Sequence, residues 1–519
     1  MILVTANEMQ QMDRLTIESF GIPGRVLMEN AGRGAARFFF EQFSGLKNKR
    51  IGVIAGRGNN GGDGFVIARY LAQSGVAVRV YLLAARNRVR GDAAANLNLL
   101  KPLEIPVIEI PDEKSFSTHQ SGLAELDVWI DAILGTGLKS DVKGYFQSVI
   151  DFINALNKPI FAVDIPSGLD SDTGQPCGTC IRASATATFG FAKTGHMTYP
   201  GAGYTGALEI VDIGIPPYIV DAVGPKQFLL TTDLIQSYLT TRAEDAHKGS
   251  TGHLLVVAGS PGKTGAAAMT SISALRAGAG LVTLGIGQSL NAVLETQMLE
   301  AMTVPLPESR DGALGGSAFS AIQELMPGKK CLAIGPGLGQ SSETRKLLRK
   351  IITESQIPVV VDADGINHLA GQIQILKKAR APIILTPHPG EMARLLDVTT
   401  EKIQQERVNS ARKVAVDFNV HVVLKGARTV IAHPDGRIFI NTTGNAGMAS
   451  GGMGDVLTGI IAGKIVQGFS PESAAHVGVY LHGAAADSLA LSIGPYGYLA
   501  GEVMGAIPGE IKKIVNRDQ

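Results

Sequence analysis

The amino-acid sequence predicts two consecutive α/β domains, each with a mostly parallel sheet. Short apolar runs alternate with amphipathic segments almost throughout, a pattern typical of βαβ units. A chain of 519 residues is also too long for one ordinary hydrophobic core. The alternation stops in the Gly/Pro-rich segments 214–217 and 224–225 and then restarts. We therefore predict two domains, residues 1–225 and 226–519.

The first domain is predicted to begin with a helix and to continue with five strands. Thr5 and Asn7 are suitable caps for a helix over residues 5–20. Short apolar runs predict the strands, and the amphipathic stretches between them predict the connecting helices. The predicted strands cover residues 51–55, 76–82, 107–110, 128–131 and 160–164, and two of the connecting helices cover residues 65–73 and 145–156.

The second domain repeats this alternation. Its predicted strands cover residues 253–258, 281–285, 331–334, 359–362, 383–386 and 421–425. A hairpin is predicted to pair residues 429–432 with residues 437–440, because Pro434, Asp435 and Gly436 between them favour a tight turn. Helices over residues 456–467 and 472–491 are expected to close the domain.

The balance of charges argues against nucleic acid as a partner. Lys and Arg number 47 against 46 Asp and Glu, which gives a net charge of +1. No apolar run approaches the ~20 residues that a membrane span needs. The N-terminal segment lacks the basic and apolar regions of a secretory signal. We expect a cytoplasmic protein with small-molecule substrates, no membrane partner and a homo-oligomeric state.

The cysteines predict no disulfide framework, because there are three in the whole chain. Cys177 and Cys180 form a lone C-x-x-C pair without a second pair or a nearby histidine cluster, so they are incomplete as a zinc site. They also lie in a Gly/Pro-rich stretch, which disfavours a redox motif. Cys331 lies in an apolar strand and is predicted to be core.

Two glycine-rich loops that run into an aspartate are the strongest functional signal. They cover residues 56–64 and 449–455, and each is predicted to open a helix. Glycines at such a position let backbone N–H groups converge on an anion, which the helix dipole also favours. An aspartate beside the loop is better suited to a cation or to proton transfer than to phosphate. The loops therefore predict two nucleotide-type sites.

In the first domain, three strand-end loops are predicted to meet, because ligands bind beyond the carboxyl ends of parallel strands. The loops cover residues 56–64, 131–140 and 164–170. The first contains a G-x-G-x-x-G match, which alone is a weak signal. A dinucleotide-binding dehydrogenase would place an acidic residue after the strand at 76–82, and Leu83 to Arg86 stand there instead.

Four polar residues on these loops are candidates for chemistry. Asn60, Asp131 and Ser167 offer oxygen atoms from three different loops, which suits a hard cation, although the residue types fit turns and caps equally well. Asp164 ends an apolar strand in a predicted crevice, where burial can raise a carboxyl pKa and favour acid–base catalysis. The alternative for Asp164 is a helix or turn cap.

The run from Gly58 to Gly64, together with residues 164–168, resembles the NAD(P)H-hydrate epimerase family over residues 1–225. The resemblance implies a Rossmann-like domain that interconverts the R and S epimers of hydrated NADH and NADPH (NADHX and NADPHX). It implies a catalytic Asp164 at the nicotinamide ring and potassium bound by Asn60, Asp131 and Ser167. It implies substrate contacts from Asn60, Gly61, Gly62, Asp63, Gly64, Gly135, Thr136, Gly137, Leu138, Lys139, Ser140, Asp141 and Asp164.

The second domain carries several phosphate-type loops. The segment 259–265 is not a P-loop, because Val257 stands where the first glycine is required. Gly454 and Asp455 precede a predicted helix and resemble the anion hole and catalytic aspartate of ribokinase-like phosphotransferases. The alternative is a helix cap. His388, between two prolines after a strand, is either structural or part of a site.

Four motifs resemble the ADP-dependent NAD(P)H-hydrate dehydratase family over residues 227–510: residues 247–249, 265–267, 387–391 and 451–455. The resemblance implies a ribokinase-like α/β domain that dehydrates the S epimer. It also implies ADP as the phosphoryl donor, Mg²⁺ that screens the phosphates, and Asp455 as the base. Implied substrate contacts are Ala267, Gly337, His388, Pro389, Gly390, Glu391, Met392, Ala393, Arg394 and Asp455. Implied ADP contacts are Lys425, Gly426, Ala427, Arg428, Thr429, Asn445, Ala446, Gly447, Met448, Ala449, Ser450, Gly451, Gly452, Met453 and Gly454.

Together the resemblances imply an isomerase and a lyase that act in sequence on one damaged cofactor. One alternative makes the second domain a vitamin or sugar kinase, since a fold does not determine a function. The products discriminate, because a kinase leaves a phosphorylated product whereas the dehydratase releases AMP and phosphate. Another alternative makes the first domain a nucleotide-binding scaffold, which would bind nucleotides without epimerase activity.

Overall fold

A computed structural model describes residues 1–138 and 140–517 of the protein. The chain forms two compact units, one of residues Ile2–Gln227 and one that begins at Phe228. Each unit is of the α/β class with mostly parallel strands, which confirms the predicted fold class. Within the described residues, no helix has both the length and the apolar character needed to cross a membrane.

The first unit contains a parallel seven-stranded sheet in the order β4-β3-β2-β5-β6-β7-β9, and β1 pairs with β8. Its elements are β1 (Ile2–Val4), α1 (Ala6–Leu15), α2 (Gly24–Gln42), β2 (Arg50–Ala55), α3 (Asn59–Gln73), β3 (Ala77–Leu82), α4 (Gly91–Asn98), β4 (Val107–Glu109), α5 (Glu113–Ala124), β5 (Val128–Ala132), α6 (Tyr145–Ala155), β6 (Ile160–Val163), β7 (Ala185–Phe189), β8 (Ala192–Lys193), α7 (Thr194–Met197), α8 (Ala202–Thr205), β9 (Ala207–Val211) and α9 (Pro217–Val223).

The order of this sheet explains where a ligand can enter. The chain proceeds from β2 outward through β3 and β4 and then returns to place β5 on the other side of β2. The loops after β2 and β5 therefore diverge and leave a crevice at their carboxyl ends. Ala55 of β2 lies opposite Ala132 of β5, so both strands end at the same level.

The five predicted strands of this unit are confirmed to within one residue at each end. The predicted helix over residues 5–20 is too long, because α1 ends at Leu15 and a π-helical turn continues to Phe20. The predicted Thr5 cap is confirmed, since its hydroxyl accepts from the Glu8 amide (3.2 Å). The helix predicted over residues 65–73 begins at Asn59, because tertiary packing overrides the low helix propensity of the glycines.

The second unit has its main sheet in the order β13-β12-β11-β14-β15-β16-β17-β18-β19. The pairs from β13 to β17 are parallel, and β17, β18 and β19 are antiparallel. The elements are β10 (Gln227–Leu229), α10 (Thr232–Tyr238), β11 (His253–Val257), α11 (Thr264–Arg276), β12 (Leu281–Gly287), α12 (Gln288–Glu295), β13 (Met302–Leu306), α13 (Phe319–Leu325), β14 (Cys331–Ile334), α14 (Ser342–Glu354), β15 (Val359–Val361), α15 (Asp364–Leu369), β16 (Ile383–Leu385), α16 (Pro389–Leu396), α17 (Thr400–Gln405), α18 (Arg407–Phe418), β17 (His421–Leu424), β18 (Val430–Ala432), β19 (Ile438–Ile440), α19 (Met453–Val466), α20 (Pro471–Ser492) and α21 (Ala500–Val515).

The six predicted strands and the hairpin of this unit are confirmed to within two residues. Cys331 is fully buried in the core, as predicted. The prediction that α20 closes the domain is wrong, because α21 follows it. Several glycines and Pro508 obscure this helix in the sequence, yet it buries Val503 and Ile507 completely. Burial of one apolar face thus outweighs the poor helix propensity of those residues.

Two candidate active sites

A cavity of about 1260 Å³ lies at the carboxyl ends of β2, β5 and β6 in the first unit. Residues 56–60 after β2 and residues 133–138 after β5 line it, together with Ser140 and with Asp164 after β6. The three loops predicted to meet therefore contribute to one cavity. A space of this size accommodates a ligand as large as a dinucleotide.

Asp164 is held in place by contacts from β7 and β8. Its φ of +65° is unusual for a residue with a side chain and persists only where the surroundings impose it. Its Oδ1 accepts hydrogen bonds from the Thr188 hydroxyl (3.0 Å) and from the Phe189 amide (3.2 Å). The Lys193 ammonium, which is completely buried, contacts the same oxygen. These contacts all fall on Oδ1 and fix the position of the carboxylate, which lines the cavity.

The carboxyl groups of this cavity differ in how readily they ionise. Burial opposes the charge of Asp164, but Lys193 outweighs it and holds the pKa of Asp164 below its usual value. Burial raises the pKa of Asp63 well above its usual value, and the charge of Asp164 adds to the rise. Burial likewise raises the pKa of Asp13 to about 6. Such divergent pKa values in one site are typical of acid–base pairs.

Asn60, which lines the cavity, is linked through Leu134 to Ser167 and Asp131. The Ser167 hydroxyl donates to Asp131 Oδ1 (2.6 Å) and the Ser167 amide donates to Asp131 Oδ2 (2.7 Å). Asn60 Nδ2 donates to the Leu134 carbonyl (3.0 Å), while its Oδ1 is buried without a partner among the described residues. Burial raises the pKa of Asp131 to about 6 against the opposing bonds from Ser167. A buried amide oxygen without a hydrogen-bond partner fits the ligand set of a hard cation such as potassium.

A second cavity, of about 410 Å³, lies in the second unit at the start of α11, α15, α16 and α19. Its lining includes predicted residues from three motifs, namely Gly337, His388, Glu391, Arg394 and Asp455. It also includes Gly265 and Ala266 from the motif at residues 265–267, and residues that the sequence did not mark, namely Gly262, Lys263, Ala363, Asp364 and Asn367. Converging helix N-termini favour an anion in this cavity.

Lys425 connects the acidic residues at the base of this second site. Its Nζ lies 2.6 Å from Asp362 Oδ1 and 3.8 Å from Glu391 Oε2. A Cβ built on Gly454 would lie 3.1 Å from the same Nζ, so glycine at 454 lets Lys425 reach the first turn of α19. Burial, reinforced by Asp362 and opposed by Lys425, raises the pKa of Asp455 to about 6. Asp455 thus has the pKa of a base that works near neutral pH.

His388 is the N-cap of α16 and therefore has a defined tautomer. Its Nδ1 accepts from the amides of Gly390 (3.0 Å) and Glu391 (3.3 Å), so the proton of the neutral ring is assigned to Nε2. Nε2 lies 3.4 Å from Glu391 Oε1. Burial and the nearby Lys425 lower the pKa of His388, which keeps the ring neutral. The structural and functional interpretations of His388 are thus compatible.

Asp364 holds several residues around the second cavity in place through its two carboxylate oxygens. Its Oδ2 lies 3.0 Å from Lys263 Nζ and accepts from the Gly339 amide (2.9 Å). Its Oδ1 accepts from Asn367 Nδ2 (3.3 Å), and Asn367 Oδ1 in turn accepts from Arg394 Nε (2.9 Å). Burial opposes the charge of Asp364, but Lys263 and the hydrogen bonds lower its pKa. Lys263 and Arg394 therefore face the cavity as positioned cations.

The glycine-rich loop before α19 is held by two residues that the sequence did not mark. Asp487 accepts from the Gly444 amide (2.8 Å) and from Asn445 Nδ2 (2.9 Å). The Tyr498 hydroxyl donates to Asn445 Oδ1 (2.6 Å), which also accepts from the Gly447 amide (3.0 Å). These bonds fix residues 444–447, at the start of the glycine-rich segment that leads into α19.

Two family profiles and a close relative identify the chain. The profile of NAD(P)H-hydrate dehydratase matches residues 254–509, and the profile of the YjeF-related protein N-terminus matches residues 24–195. The bifunctional NAD(P)H-hydrate repair enzyme Nnr of Moorella thermoacetica is 44% identical over 515 residues, which cover 99% of this chain and 97% of the relative. The chain belongs to the family of bifunctional NAD(P)H-hydrate repair enzymes.

Two solved structures are also similar to the chain. One is the ADP/ATP-dependent NAD(P)H-hydrate dehydratase of Bacillus subtilis, co-crystallised with ATP and Mg²⁺. It is 31% identical with a TM-score of 0.49, and the match covers 55% of this chain and 98% of that one. The other is a ribokinase-like superfamily protein of Enterococcus faecalis V583. It is 28% identical with a TM-score of 0.49, and the match covers 56% of this chain and 96% of that one.

Several residues predicted for the epimerase site do not line the first cavity. A Cβ on Gly61 would lie 2.1 Å from the Gly56 carbonyl oxygen, and one on Gly64 would lie 2.6 Å from the Ala132 Cβ. These glycines, like Gly62, let α3 pack closely rather than face the cavity. Asp141 is exposed and lies 3.7 Å from Lys143. The predicted Lys139 lies outside the described residues.

Some residues predicted for the dehydratase site do not line the second cavity. Ala267, Met392 and Ala393 are buried in the core, because the opposite faces of α11 and α16 carry the lining residues. The predicted ADP segments 425–429 and 445–454 lie outside the lining of the second cavity.

Lys193, Asp362 and Asp364 are the main functional candidates that the sequence analysis missed. Asp362 directly follows β15, so the rule that sites follow strand ends could have found it and Asp364. Cys177 and Cys180 carry free thiols, and burial raises the pKa of both, so neither is an activated thiolate.

Proposed function

We propose that the protein repairs hydrated NADH and NADPH in two steps. The domain of residues 1–225 interconverts the R and S epimers, and the domain of residues 226–519 dehydrates the S epimer with ADP and releases AMP and phosphate. The observation that carries the proposal is the carboxylate at each site: an ionised Asp164 held by Lys193 in one cavity, and Asp455 at the start of a helix in the other.

In the dehydratase, the proposed task of Asp455 is to take the proton from the hydroxyl group on the hydrated nicotinamide ring. The oxygen then attacks the terminal phosphorus of ADP, and AMP leaves. Backbone amides in the first turn of α19 and the Lys425 ammonium stabilise the developing phosphoryl charge. The phosphate ester formed is a good leaving group: its C–O bond breaks, phosphate departs, and the neighbouring ring carbon gives up a proton, which restores the double bond of the reduced nicotinamide.

The second site also fits the predicted Mg²⁺. Lys425 is flanked by the carboxylates of Asp362, Glu391 and Asp455. Burial and the negative charge of Asp362 raise the pKa of both Glu391 and Asp455, although Lys425 opposes this. The local negative charge therefore exceeds what Lys425 offsets and favours a further cation. Mg²⁺ in such a site is held by one or two carboxylates and by substrate phosphates, whose charge it screens.

In the epimerase, Lys193 keeps Asp164 ionised at neutral pH, so Asp164 is the group that accepts a proton at the nicotinamide ring. Asp63, whose ionisation is suppressed, lines the same cavity and complements it as a proton donor. Potassium bound by Asn60, Asp131 and Ser167 would fix the loops after β5 and β6 at the edge of this cavity.

The assay that tests the proposal uses separate R and S hydrates of NADH with the full chain, with and without ADP. Recovery of the reduced-nicotinamide absorbance should require ADP for both epimers. AMP and phosphate should appear in equal amounts. A stable phosphorylated product would instead support the kinase alternative, and failure to convert the R epimer would support the scaffold alternative.

We predict that dehydratase activity falls in acid as Asp455 becomes protonated. Its raised pKa of about 6 means that kcat/KM for the S epimer should drop about tenfold per pH unit below that value. The measurement is a pH profile at saturating ADP, with circular dichroism at each pH to verify folding. A profile that stays level down to about pH 5 would exclude Asp455 as the base.

We predict that K⁺ stabilises the first unit through Asn60. Replacing NaCl with KCl should raise the unfolding temperature of this unit by about 3 °C, the shift that about 1 kcal/mol of binding energy produces in a unit of this size. Asn60→Ala removes the orphaned oxygen and should abolish the K⁺-specific shift. Asn98→Ala, at the exposed end of α4, is the matched control and should keep it. A K⁺ shift that persists in Asn60→Ala would contradict the site.

The cytoplasmic location and the homo-oligomeric state stay predictions. Both NADHX and NADPHX are proposed substrates of the same two sites.

A further inference from the structure

Outside both cavities, three histidine side chains of the second unit lie in a row. His421 Nδ1 lies 2.8 Å from His433 Nδ1, and His433 Nε2 lies 2.8 Å from His476 Nε2. The Tyr238 hydroxyl lies 3.4 Å from His476 Nδ1 at the end of the row. His433 and His476 are 1% and 0% exposed, so the contact between their Nε2 atoms is shielded from water.

Glu472 adds a carboxylate to the same cluster. It lies one helical turn before His476 on α20, and residues four apart share a helix face. His433 directly follows β18 and reaches this face from the hairpin. Ligand atoms of His433, Glu472 and His476 all lie within 4.8 Å of one another. Two imidazoles and one carboxylate form a common ligand set for zinc in proteins.

We propose that His433, Glu472 and His476 bind a zinc ion that ties the β18–β19 hairpin to the start of α20. The ion would sit between the two Nε2 atoms and take a Glu472 oxygen as its third ligand, with water in the fourth position. Zinc–nitrogen bonds of about 2.0–2.1 Å in a tetrahedral arrangement place two such nitrogens about 3.3 Å apart. The present 2.8 Å contact thus needs to open by only about 0.5 Å.

The neighbours of the two histidines suit this role. A metal-bound imidazole gives its lone pair from Nε2 and carries its proton on Nδ1, where it needs an acceptor. For His433 that acceptor is His421 Nδ1, and for His476 it is the Tyr238 oxygen. Binding therefore requires only that the proton between the two Nε2 atoms be replaced by zinc and that both rings adopt the Nδ1–H tautomer.

The charges around Glu472 leave it able to bind a cation. Arg437 Nη1 and Nη2 donate to Glu472 Oε1 (2.9 Å) and Oε2 (2.6 Å). Arg437 Nε also donates to Asp435 Oδ2 (2.5 Å), so the guanidinium is shared by two carboxylates. Each Glu472 oxygen accepts one of these hydrogen bonds and retains a second lone pair that a metal can take.

The test is zinc binding to the full chain without an affinity tag, after treatment with a chelator and its removal. Calorimetric titration with zinc chloride should show a tight site with one ion per chain, and zinc should raise the unfolding temperature of the second unit. Cobalt should bind in its place and give the visible absorption of a tetrahedral complex.

Two variants and a control decide whether the ion is bound here. Glu472→Gln keeps an acceptor for Arg437 and should weaken zinc binding at least tenfold, and His476→Asn should remove the tight site. Each variant is first verified to unfold cooperatively without zinc. His119→Asn, on α5 of the first unit, should bind zinc like the original protein. Absence of a tight site in the original protein, or unchanged affinity in both Glu472→Gln and His476→Asn, would overturn the proposal.

Discussion

Asp455→Asn is expected to reduce kcat for ADP-dependent repair by about 10²–10⁴, the usual contribution of a positioned general base. ADP should still bind with a similar affinity, because Asp487 and Tyr498, not Asp455, fix the glycine-rich loop. The measurements are kcat for the S epimer and a calorimetric titration with ADP. Epimerisation of the R form by the same chain should continue at the normal rate.

The variant should not fail merely by unfolding. The raised pKa of Asp455 means that the folded state disfavours its ionised form, so this carboxylate lowers stability at neutral pH and Asn relieves that effect. We therefore expect an equal or higher unfolding temperature. Asp397→Asn is the matched control, because Asp397 is exposed with a φ of +55°, a conformation that Asn tolerates well. Full turnover by Asp455→Asn would show that another group is the base.

The sequence was sufficient to predict the strands and the edge at which the first site forms. Apolar runs such as residues 51–55 and 128–131 are buried on both faces, and this leaves little freedom in where they begin and end. Because parallel strands bring their carboxyl ends to one edge, the placement of Asn60, Asp131 and Asp164 at that edge follows from the strand positions alone.

The partners of the catalytic carboxyls could not be predicted in the same way. Lys193 lies 29 residues after Asp164 in a two-residue strand, and no local pattern marks it as the buried cation beneath that carboxylate. The pKa of Asp164 falls only because that lysine is present, so its ionisation state is a property of tertiary structure. Burial at the end of an apolar strand predicts a raised pKa for Asp164, and the structure gives the opposite direction.

The glycines of the loop at residues 56–64 show a second limit of prediction from sequence. They were assigned to substrate by resemblance, but the structure uses Gly61 to approach the Gly56 carbonyl and Gly64 to approach Ala132. Because glycine has no Cβ, its backbone can lie close to a ligand or equally close to another part of the chain. Sequence alone cannot distinguish these uses, and the substrate contacts of these glycines stay predictions.

Asp164→Asn is expected to slow epimerisation by about 10²–10⁴ while dehydration of the S epimer by the same chain is unchanged. Asn keeps an oxygen that can accept from Thr188 and Phe189, so the local geometry should persist. The assay follows conversion of the pure R hydrate in the presence of ADP, with the S hydrate as an internal control.

This substitution also leaves the buried Lys193 without its countercharge, and that effect must be separated from catalysis. Because the pKa of Asp164 is lowered in the folded state, its ionised form adds stability at neutral pH, and this stability is lost as the pH falls through that lowered value. The single variant should therefore unfold at a lower temperature. The double variant Asp164→Asn with Lys193→Met removes both charges and should recover much of that loss. It should still not epimerise if Asp164 acts on the substrate, whereas recovery of epimerisation together with stability would show that the pair is purely structural.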